Sequence, residues 1–187
     1  MTLPIITKRL ILRRFTYDDS PDILELVSHP SVARITTNIE ASESKVREYI
    51  DKQNSIPPFE KNRWFDLGIE KKDDGKVIGL LSFVCEDHQQ GAIGWSLGID
   101  HRGKGYVTEG ARALISYAFT ALALHRIRAT TSSINPASWK VMERIGMRKE
   151  AHFHEVELRD GEWIDVLVYG ILAKEWATEE DVQRNSL

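Results

Sequence analysis

Between a strand-like run and a helical pattern lies the stretch Gly98-Ile99-Asp100-His101-Arg102-Gly103-Lys104-Gly105-Tyr106, called the glycine loop below. The N–H groups in the first turn of a helix have no partner within the helix, and the helix dipole makes that end partly positive. Glycines let an anion approach such N–H groups closely because they carry no side chain. The glycine loop is therefore typical of a site that binds phosphate groups.

Two nucleotide-binding patterns come close to the sequence of the glycine loop. Residues 98–104 satisfy the start of the pattern G-x-x-x-x-G-K-[ST], but Gly105 replaces the Ser or Thr whose hydroxyl binds magnesium. The dinucleotide pattern G-x-G-x-x-G fails at Thr108, which stands where the third glycine belongs. A nucleotide phosphatase is thus a weaker alternative, and it predicts magnesium-dependent ATP binding.

Apolar and alternating runs on both sides of the glycine loop predict the strands. These runs cover residues 10–15, 64–70, 76–85, 91–99, 126–131, 147–158 and 163–172. Turn-forming residues at 72–75 join the first two of three central strands, and we expect these three to form an antiparallel meander. Residues 159–162 predict a hairpin between the last two strands.

An i, i+3, i+4 spacing of apolar residues predicts the helices, of which the third covers residues 108–124. Capping residues, prolines and a glycine mark helix ends at 17–21, 42–45, 54–58, 135–138 and Gly146. A strand-helix-strand unit around the third helix adds parallel pairing to a mostly antiparallel sheet. We therefore predict a mixed α+β fold, with about seven strands in one partly parallel, twisted sheet and about four helices beside it.

The composition is that of an ordinary globular protein. Of its 187 residues 42% are hydrophobic and 28% charged, and the formal net charge of -3 gives no general attraction for nucleic acid. The single cysteine, Cys85, stands in an apolar run, which predicts a buried, inert thiol and a reducing compartment. The sequence has neither a signal-peptide pattern nor an apolar run of about 18 residues, so we expect a cytoplasmic protein without a membrane span.

The glycine loop and a second motif together resemble the GNAT superfamily of N-acetyltransferases. Gly103 and Gly105 fit that family's pattern Arg/Gln-x-x-Gly-x-Gly/Ala, whereas Asp100 departs from the usual Arg or Gln. Downstream, the run Asn135-Pro136-Ala137-Ser138 and the later step Ile145-Gly146-Met147 are similar to the family's Asn-x-x-Ser helix and Gly-Phe step. Asn and Ser are also ordinary residues at the start of a helix.

The residues around the loop are most similar to the branch that contains the Rim-type ribosomal-protein N-terminal acetyltransferases. This branch is indicated by Gly94-Trp95-Ser96-Leu97 and by residues 102–110. The resemblance implies a GNAT fold over residues 8–176, followed by a polar tail at 177–187. It also implies acetyl-CoA as the cosubstrate.

Acetyl-CoA carries a pyrophosphate, and the glycine loop supplies the groups that we expect to bind it. The backbone amides of Arg102, Gly103, Lys104, Gly105 and Tyr106 would donate to the phosphate oxygens. The side chains of Arg102 and Lys104 would add positive charge. No metal is expected in this arrangement.

The reacting end of the cofactor would lie along the neighbouring strand. The strand edge at Leu97, Gly98 and Ile99 would pair with the pantetheine amides and direct a backbone N–H at the thioester oxygen. By resemblance, Asn135 would contact the pantetheine or sulfur region, and Ser138 would protonate or hydrogen-bond the leaving thiolate. Many relatives use a tyrosine for that task, and Tyr106 and Tyr169 stay unassigned.

The general base is the hardest role to assign from sequence. Glu155 and Glu157 alternate onto one face of a strand, and the resemblance favours Glu157, although a solvated surface carboxylate is an equal alternative. His152 and His154 also share a strand face, but they lack a third ligand, so we expect surface residues and no metal site.

The predicted function is an acetyl-CoA-dependent N-acetyltransferase that acts by direct transfer in a ternary complex. The acceptor is a protein amino terminus, such as that of a ribosomal protein, or a small-molecule amine, and the enzyme is a monomer or a homodimer. Trp64 and Trp163 are expected either to line the acceptor pocket or to lie in the core. The alternative is a non-catalytic acyl-CoA-binding regulatory module, in which Ser138 is only a cap residue and Glu157 only a surface residue.

Overall fold

A sheet of eight strands forms the centre of the computed structural model, which describes residues 3–29, 32, 39–159 and 161–176. Along the sheet the strands follow the order β1-β2-β3-β4-β5-β6-β8-β7. They are β1 (Ile5–Ile6), β2 (Leu10–Arg13), β3 (Phe65–Lys71), β4 (Val77–Cys85), β5 (Gln90–Leu97), β6 (Arg126–Ser132), β7 (Arg148–Arg159) and β8 (Glu162–Leu172). The predicted mixed α+β fold is confirmed.

Four helices of the described residues match those that the apolar spacing predicts. They are α1 (Ser20–Ser28), α2 (Glu43–Ser55), α3 (Tyr106–Thr120) and α4 (Pro136–Arg144). The Ser42 hydroxyl accepts from the Lys45 N–H at 3.4 Å and so caps the start of α2. After α4, Gly146 has a φ of 88°, a conformation that glycine adopts without strain when it ends a helix.

The central strands pair as the sequence predicts. β3 and β4 are antiparallel, with Leu67 opposite Leu81, and β4 and β5 are antiparallel, with Leu81 opposite Trp95. β5 then pairs with β6 in parallel, after the crossover through α3. The expected meander and the expected parallel pairing are both confirmed.

Helices cover both faces of the sheet. Because side chains alternate along a strand, neighbouring residues of β4 pack against helices on opposite faces. Leu81 belongs to the larger core cluster, together with Leu114 and Ile115 of α3. Its neighbour Leu80 belongs to a second cluster, which contains residues of α1 and α2 such as Ile23 and Ile50. Cys85, at the end of β4, is half-buried rather than buried, and burial raises the pKa of its thiol.

Two features of the sheet were not predicted from the sequence. The two-residue strand β1 was not predicted, because a run that short has no readable alternation. The hairpin of β7 and β8 inserts β8 between β6 and β7, so that β7 forms the edge of the sheet. Asp160 of the predicted hairpin turn and the tail at 177–187 lie outside the described residues.

Candidate active site

A cleft of about 1110 Å³ opens where β5 and β6 separate. The two strands pair only through residues 90–92 of β5 and 126–128 of β6. From there β5 follows β4 as far as the pair Leu97 and Gly79, while β6 follows β8 as far as Ser132 and Val166. Residues 93–97 of β5 and 130–132 of β6 therefore line the cleft instead of pairing with each other.

The glycine loop forms one end of this lining. Gly103 and Gly105 have φ angles of 77° and 80°, and Gly105 is the N-cap residue directly before α3. A Cβ placed on Gly103 would meet no atom within 4 Å, so the space above this residue is open. Among the described residues no side chain caps the start of α3, so its first amides have no capping partner.

The two basic side chains of the loop bind carbonyl groups beside them. Arg102 Nε donates to the Leu97 carbonyl at 3.3 Å, and Lys104 Nζ donates to the Asp100 carbonyl at 2.8 Å. Arg102 lines the cleft, whereas the side chain of Lys104 holds the outer part of the loop. Both charges thus lie at the loop, where they favour an anion.

The part of β5 that lines the cleft ends slightly upstream of the strand edge that was predicted to bind the cofactor. Leu97 lines the cleft, but the Gly98 N–H donates to the Ile78 carbonyl at 2.9 Å, on the side of β4. Ile99 begins a short 3-10 turn that ends at His101 and does not line the cleft. The strand ends at Leu97 rather than at residue 99, because this turn redirects the chain toward α3.

Arg9 and Glu109 position the glycine loop, and the sequence interpretation missed both. The Glu109 carboxylate accepts from Thr7 Oγ1 at 2.6 Å, from the Arg9 N–H at 2.8 Å and from Arg9 Nε at 2.6 Å. Arg9 Nη1 also donates to the Lys104 carbonyl at 3.0 Å, and its guanidinium lies 4.5 Å from the centre of the Tyr106 ring. These contacts fasten the loop to the start of β2.

The Glu109 contacts predict a dependence of stability on pH. Burial by itself raises the pKa of Glu109, but the hydrogen bonds from Thr7 and Arg9 outweigh it and hold the pKa below its ordinary value of 4.5. A carboxylate with a lowered pKa stabilises the folded state above its ordinary pKa, and this stabilisation is lost as the pH falls through the lower folded value.

We therefore expect Glu109→Gln to lower the free energy of unfolding at pH 7, with a difference from the wild type that shrinks below about pH 4.5. Denaturant unfolding at a series of pH values measures it. Glu48→Gln is the control, because the Glu48 side chain on α2 is 64% exposed. A Glu109→Gln difference that stays constant down to about pH 3 would show that the charge of Glu109 is not responsible.

Asn135 and Ser138 meet at the start of α4 and both line the cleft. Asn135 Oδ1 accepts from the Ser138 N–H at 3.3 Å, so Asn135 caps the helix. The Ser138 hydroxyl has no hydrogen-bond partner among residues 3–29, 32, 39–159 and 161–176, and it is half-buried. Its oxygen is therefore available to a molecule in the cleft.

The two candidate bases lie in different surroundings. Glu157 lines the cleft, is half-buried and forms an ion pair with Arg159 through Oε2. Glu155 does not line the cleft, because an irregularity in β7 between Phe153 and Glu157 breaks the alternation and gives Glu155 a φ of 52°. The two carboxylates are therefore not equivalent.

The aromatic candidates also differ in their surroundings. Trp64 is 49% exposed and lines the cleft, whereas Trp163 is 61% exposed and lies outside the lining, so neither is a core residue. Tyr106 lines the cleft. Tyr169 is buried and donates to Glu143 at 3.3 Å, and burial, followed by the nearby Glu143 charge, raises its pKa.

The charges around the cleft come from different elements. The glycine loop and α4 contribute the basic residues Arg102, Lys140 and Arg144. The hairpin of β7 and β8 contributes two carboxylates, Glu157 and Glu162, beside Arg159. The cleft thus combines a basic lining suited to phosphates with acidic groups suited to a cationic molecule.

An open cleft between two separating strands, with a glycine loop at a helix start, agrees with the predicted class of acyltransferase. Residues 9–148 match the Acetyltransferase (GNAT) domain family, and the chain belongs to this family. The predicted resemblance and the predicted enzyme class, an N-acetyltransferase, are confirmed.

Relatives of known sequence or structure agree with this family. The uncharacterized N-acetyltransferase YnaD of Bacillus subtilis is 32% identical over 174 residues, which cover 92% of this chain and 98% of YnaD. A crystal structure of a GNAT-family acetyltransferase from Bacillus anthracis is similar with a TM-score of 0.81 and 28% identity, over 92% of this chain and 99% of that one.

The Rim-type resemblance is confirmed by a third relative. The ribosomal protein uS5-alanine N-acetyltransferase of Escherichia coli is 29% identical over 115 residues, which cover 60% of this chain and 59% of that enzyme.

Within the described residues no helix is both long enough and apolar enough to cross a membrane.

Proposed function

We propose that the protein transfers an acetyl group from acetyl-CoA to a primary amine, by direct attack of the amine on the thioester in a ternary complex. One observation carries this proposal: a single cleft connects the glycine loop, residues 93–97 of β5, the Ser138 hydroxyl and Glu157. Each of the four tasks of thioester aminolysis thus has a candidate group in the same cleft. These tasks are to bind the cofactor, to stabilise the oxyanion, to protonate or hydrogen-bond the leaving thiolate and to accept a proton from the amine.

The cofactor would lie along the basic part of the cleft. The amides at Gly103, Gly105 and Tyr106 donate to the pyrophosphate oxygens, and the charges of Arg102 and Arg144 strengthen this binding. The pantetheine amides pair with residues 93–97 of β5 as an added strand would. A backbone N–H of the same stretch then stabilises the oxygen of the tetrahedral intermediate.

The acceptor would enter near Glu157 and Glu162, with Trp64 as a further residue of the cleft lining. Carboxylates attract a protonated amine, and a tryptophan face binds cations. At pH 7 deprotonation of a lysine amine costs about 4.6 kcal/mol, whereas an α-amine costs only about 1 to 1.4 kcal/mol. A single half-buried glutamate therefore suits an α-amine, and the similarity to the uS5-alanine enzyme favours a protein amino terminus as the acceptor.

Ser138→Ala tests the leaving-group step. We expect kcat to fall about hundredfold, since proton donation by a positioned group contributes that order of rate, while the Kd for acetyl-CoA changes less than about threefold. The start of α4 stays capped, because Asn135 accepts from the backbone N–H of residue 138. Steady-state kinetics and calorimetric titration measure the two quantities.

Ser133→Ala is the matched control, since Ser133 is a half-buried serine close to the same helix that does not line the cleft. Its kcat should equal that of the wild type. If Ser138→Ala weakened acetyl-CoA binding as much as it slowed the reaction, Ser138 would be a binding residue only.

The decisive experiment for the proposed function is calorimetric titration with acetyl-CoA, followed in the same samples by thiol release. The acceptor panel contains peptides with free amino termini, the same peptides with blocked termini, and polyamines. Binding with turnover on the free peptides supports the proposal. Binding without turnover on any amine would favour the regulatory acyl-CoA module, and no binding would refute both.

A further inference from the structure

Three potential metal ligands meet on the hairpin of β7 and β8, outside the cleft. His152 Nε2 lies 2.6 Å from Asp165 Oδ2, and His154 Nδ1 lies 3.1 Å from the same oxygen. These three atoms all lie within 4.8 Å of one another. Ile164 and Val166 line the cleft, so Asp165 between them points to the opposite side of β8.

We propose that His152, His154 and Asp165 form a binding site for a divalent transition-metal ion of the Zn²⁺ class. In the sequence the two histidines lack a third ligand, which predicts a surface pair. The pairing of β7 with β8 supplies that ligand from a residue that is 11 positions away from His154. The site is separate from the proposed acetyl transfer and does not depend on it.

The spacing of the ligand atoms fits a tetrahedral ion after a small adjustment. Zinc binds imidazole nitrogen and carboxylate oxygen at about 2.0–2.2 Å, so its ligand atoms lie about 3.3–3.6 Å apart in a tetrahedron. The observed separations from Asp165 Oδ2, 2.6 Å and 3.1 Å, are slightly shorter, as for hydrogen bonds. Rotation of two exposed imidazole rings is enough to widen them.

The carboxylate of Asp165 is already oriented for this role. Its other oxygen, Oδ1, accepts from the Glu155 N–H at 2.9 Å, which leaves Oδ2 directed at the two histidines. Glu155 makes this bond from the irregular part of β7, with a φ of 52° that is unusual for a residue other than glycine. A hydrogen bond that orients a ligating carboxylate is a regular part of metal sites.

The ligand set also determines which ions should bind. Two imidazoles and one carboxylate suit Zn²⁺, Co²⁺, Ni²⁺ and Cu²⁺, whereas Mg²⁺ and Ca²⁺ prefer oxygen ligands alone. The His154 side chain is 74% exposed, so water or an external group completes the coordination. The Asp165 carbonyl accepts from the Ser133 N–H at 2.9 Å. Ser133 lies two residues before Asn135, which lines the cleft, so a bound ion would also stabilise this part of the cleft lining.

Calorimetric titration of protein without an affinity tag, with Zn²⁺ and separately with Mg²⁺, tests the site. We expect one Zn²⁺ per chain and no Mg²⁺. His154→Ala should weaken Zn²⁺ binding at least about tenfold, and His152→Ala likewise, because each removes one of three ligands. His125→Ala is the control, because His125 is an exposed histidine that lies away from the site. It directly precedes β6, and its backbone carbonyl accepts from the N–H of Ala173, just after the end of β8.

Co²⁺ titration gives a second readout, because nitrogen and oxygen ligands in a tetrahedral site produce visible absorption that the two variants should lose. Thermal unfolding without metal shows whether the variants are folded. The proposal is overturned if the wild type binds no Zn²⁺ at millimolar concentration. It is also overturned if the folded His152→Ala and His154→Ala variants bind Zn²⁺ as tightly as His125→Ala does.

Discussion

A Gly103→Val variant is expected to bind acetyl-CoA at least about hundredfold more weakly than the wild type while it keeps its fold. The open space above Gly103 is the space that the pyrophosphate would occupy in the proposed complex. A branched side chain fills this space and keeps the phosphate oxygens away from the amides of the loop. Valine also disfavours the φ of 77° at this position, so the loop itself shifts.

Gly75→Val is the control that distinguishes the loss of the phosphate-binding site from the loss of stability caused by a strained backbone. Gly75 lies in the turn between β3 and β4 and has a φ of 72°. As at Gly103, a Cβ added to Gly75 would meet no atom within 4 Å. Both variants should lose about 1–3 kcal/mol of unfolding free energy, the usual cost of such backbone strain.

Only Gly103→Val should lose acetyl-CoA binding in calorimetric titration. Normal binding by Gly103→Val would mean that the phosphates do not approach the glycine loop. An equal loss in both variants would instead indicate a general effect of destabilisation.

The elements of the fold were predictable where a local pattern fixes them. The meander of β3, β4 and β5 follows from apolar runs separated by turns, and α3 follows from the spacing of Leu114, Ile115 and Ala118. The order of the last strands was not predictable in this way. The choice of β8 rather than β7 as the neighbour of β6 is a long-range pairing, and its one local hint is that β8 is largely apolar whereas β7 is largely charged.

The same distinction between local patterns and long-range contacts applies to the candidate site. Gly103, Gly105, Asn135 and Ser138 belong to short motifs, and the structure brings all four to one cleft. Their roles with acetyl-CoA stay predictions. A local motif can specify such residues because a helix start fixes the geometry of its own amides.

Residues that act across the chain had no readable signal. Arg9 and Glu109 meet although they are 100 positions apart, and Asp165 reaches the two histidines only through strand pairing. The separation of Glu155 from Glu157 depends on an irregularity in β7 that regular alternation cannot anticipate. Glu109 lies in the first turn of α3, where an acidic residue also interacts favourably with the helix dipole. Its position in the sequence therefore does not predict the contact with Arg9.

A Gly79→Ala variant is expected to show the largest loss of stability, about 3 kcal/mol of unfolding free energy or more. Gly79 pairs with Leu97 at the end of β5. A Cβ on Gly79 would overlap the Ser96 carbonyl oxygen and lie 3.1 Å from Leu97 Cα. Both are backbone atoms, so no change of rotamer relieves the overlap and the two strands must separate.

Gly94→Ala is the control on the neighbouring strand β5. A Cβ on Gly94 would lie no closer than 3.7 Å to any atom, from Ser82 Cβ, which is an ordinary contact. Its unfolding free energy should stay within about 1 kcal/mol of the wild type, because alanine also restricts the unfolded chain. Denaturant unfolding of the three proteins measures the difference.

The Gly79 variant also connects the fold to the proposed chemistry. Ser96 and Leu97 line the cleft, so a displaced end of β5 moves the backbone groups that would bind the pantetheine. Acetyl-CoA affinity should therefore fall in Gly79→Ala even where the variant is still folded. Full stability in Gly79→Ala would show that β4 and β5 tolerate a wider spacing here. Lost stability with unchanged affinity would place the cofactor elsewhere along the cleft, away from the end of β5.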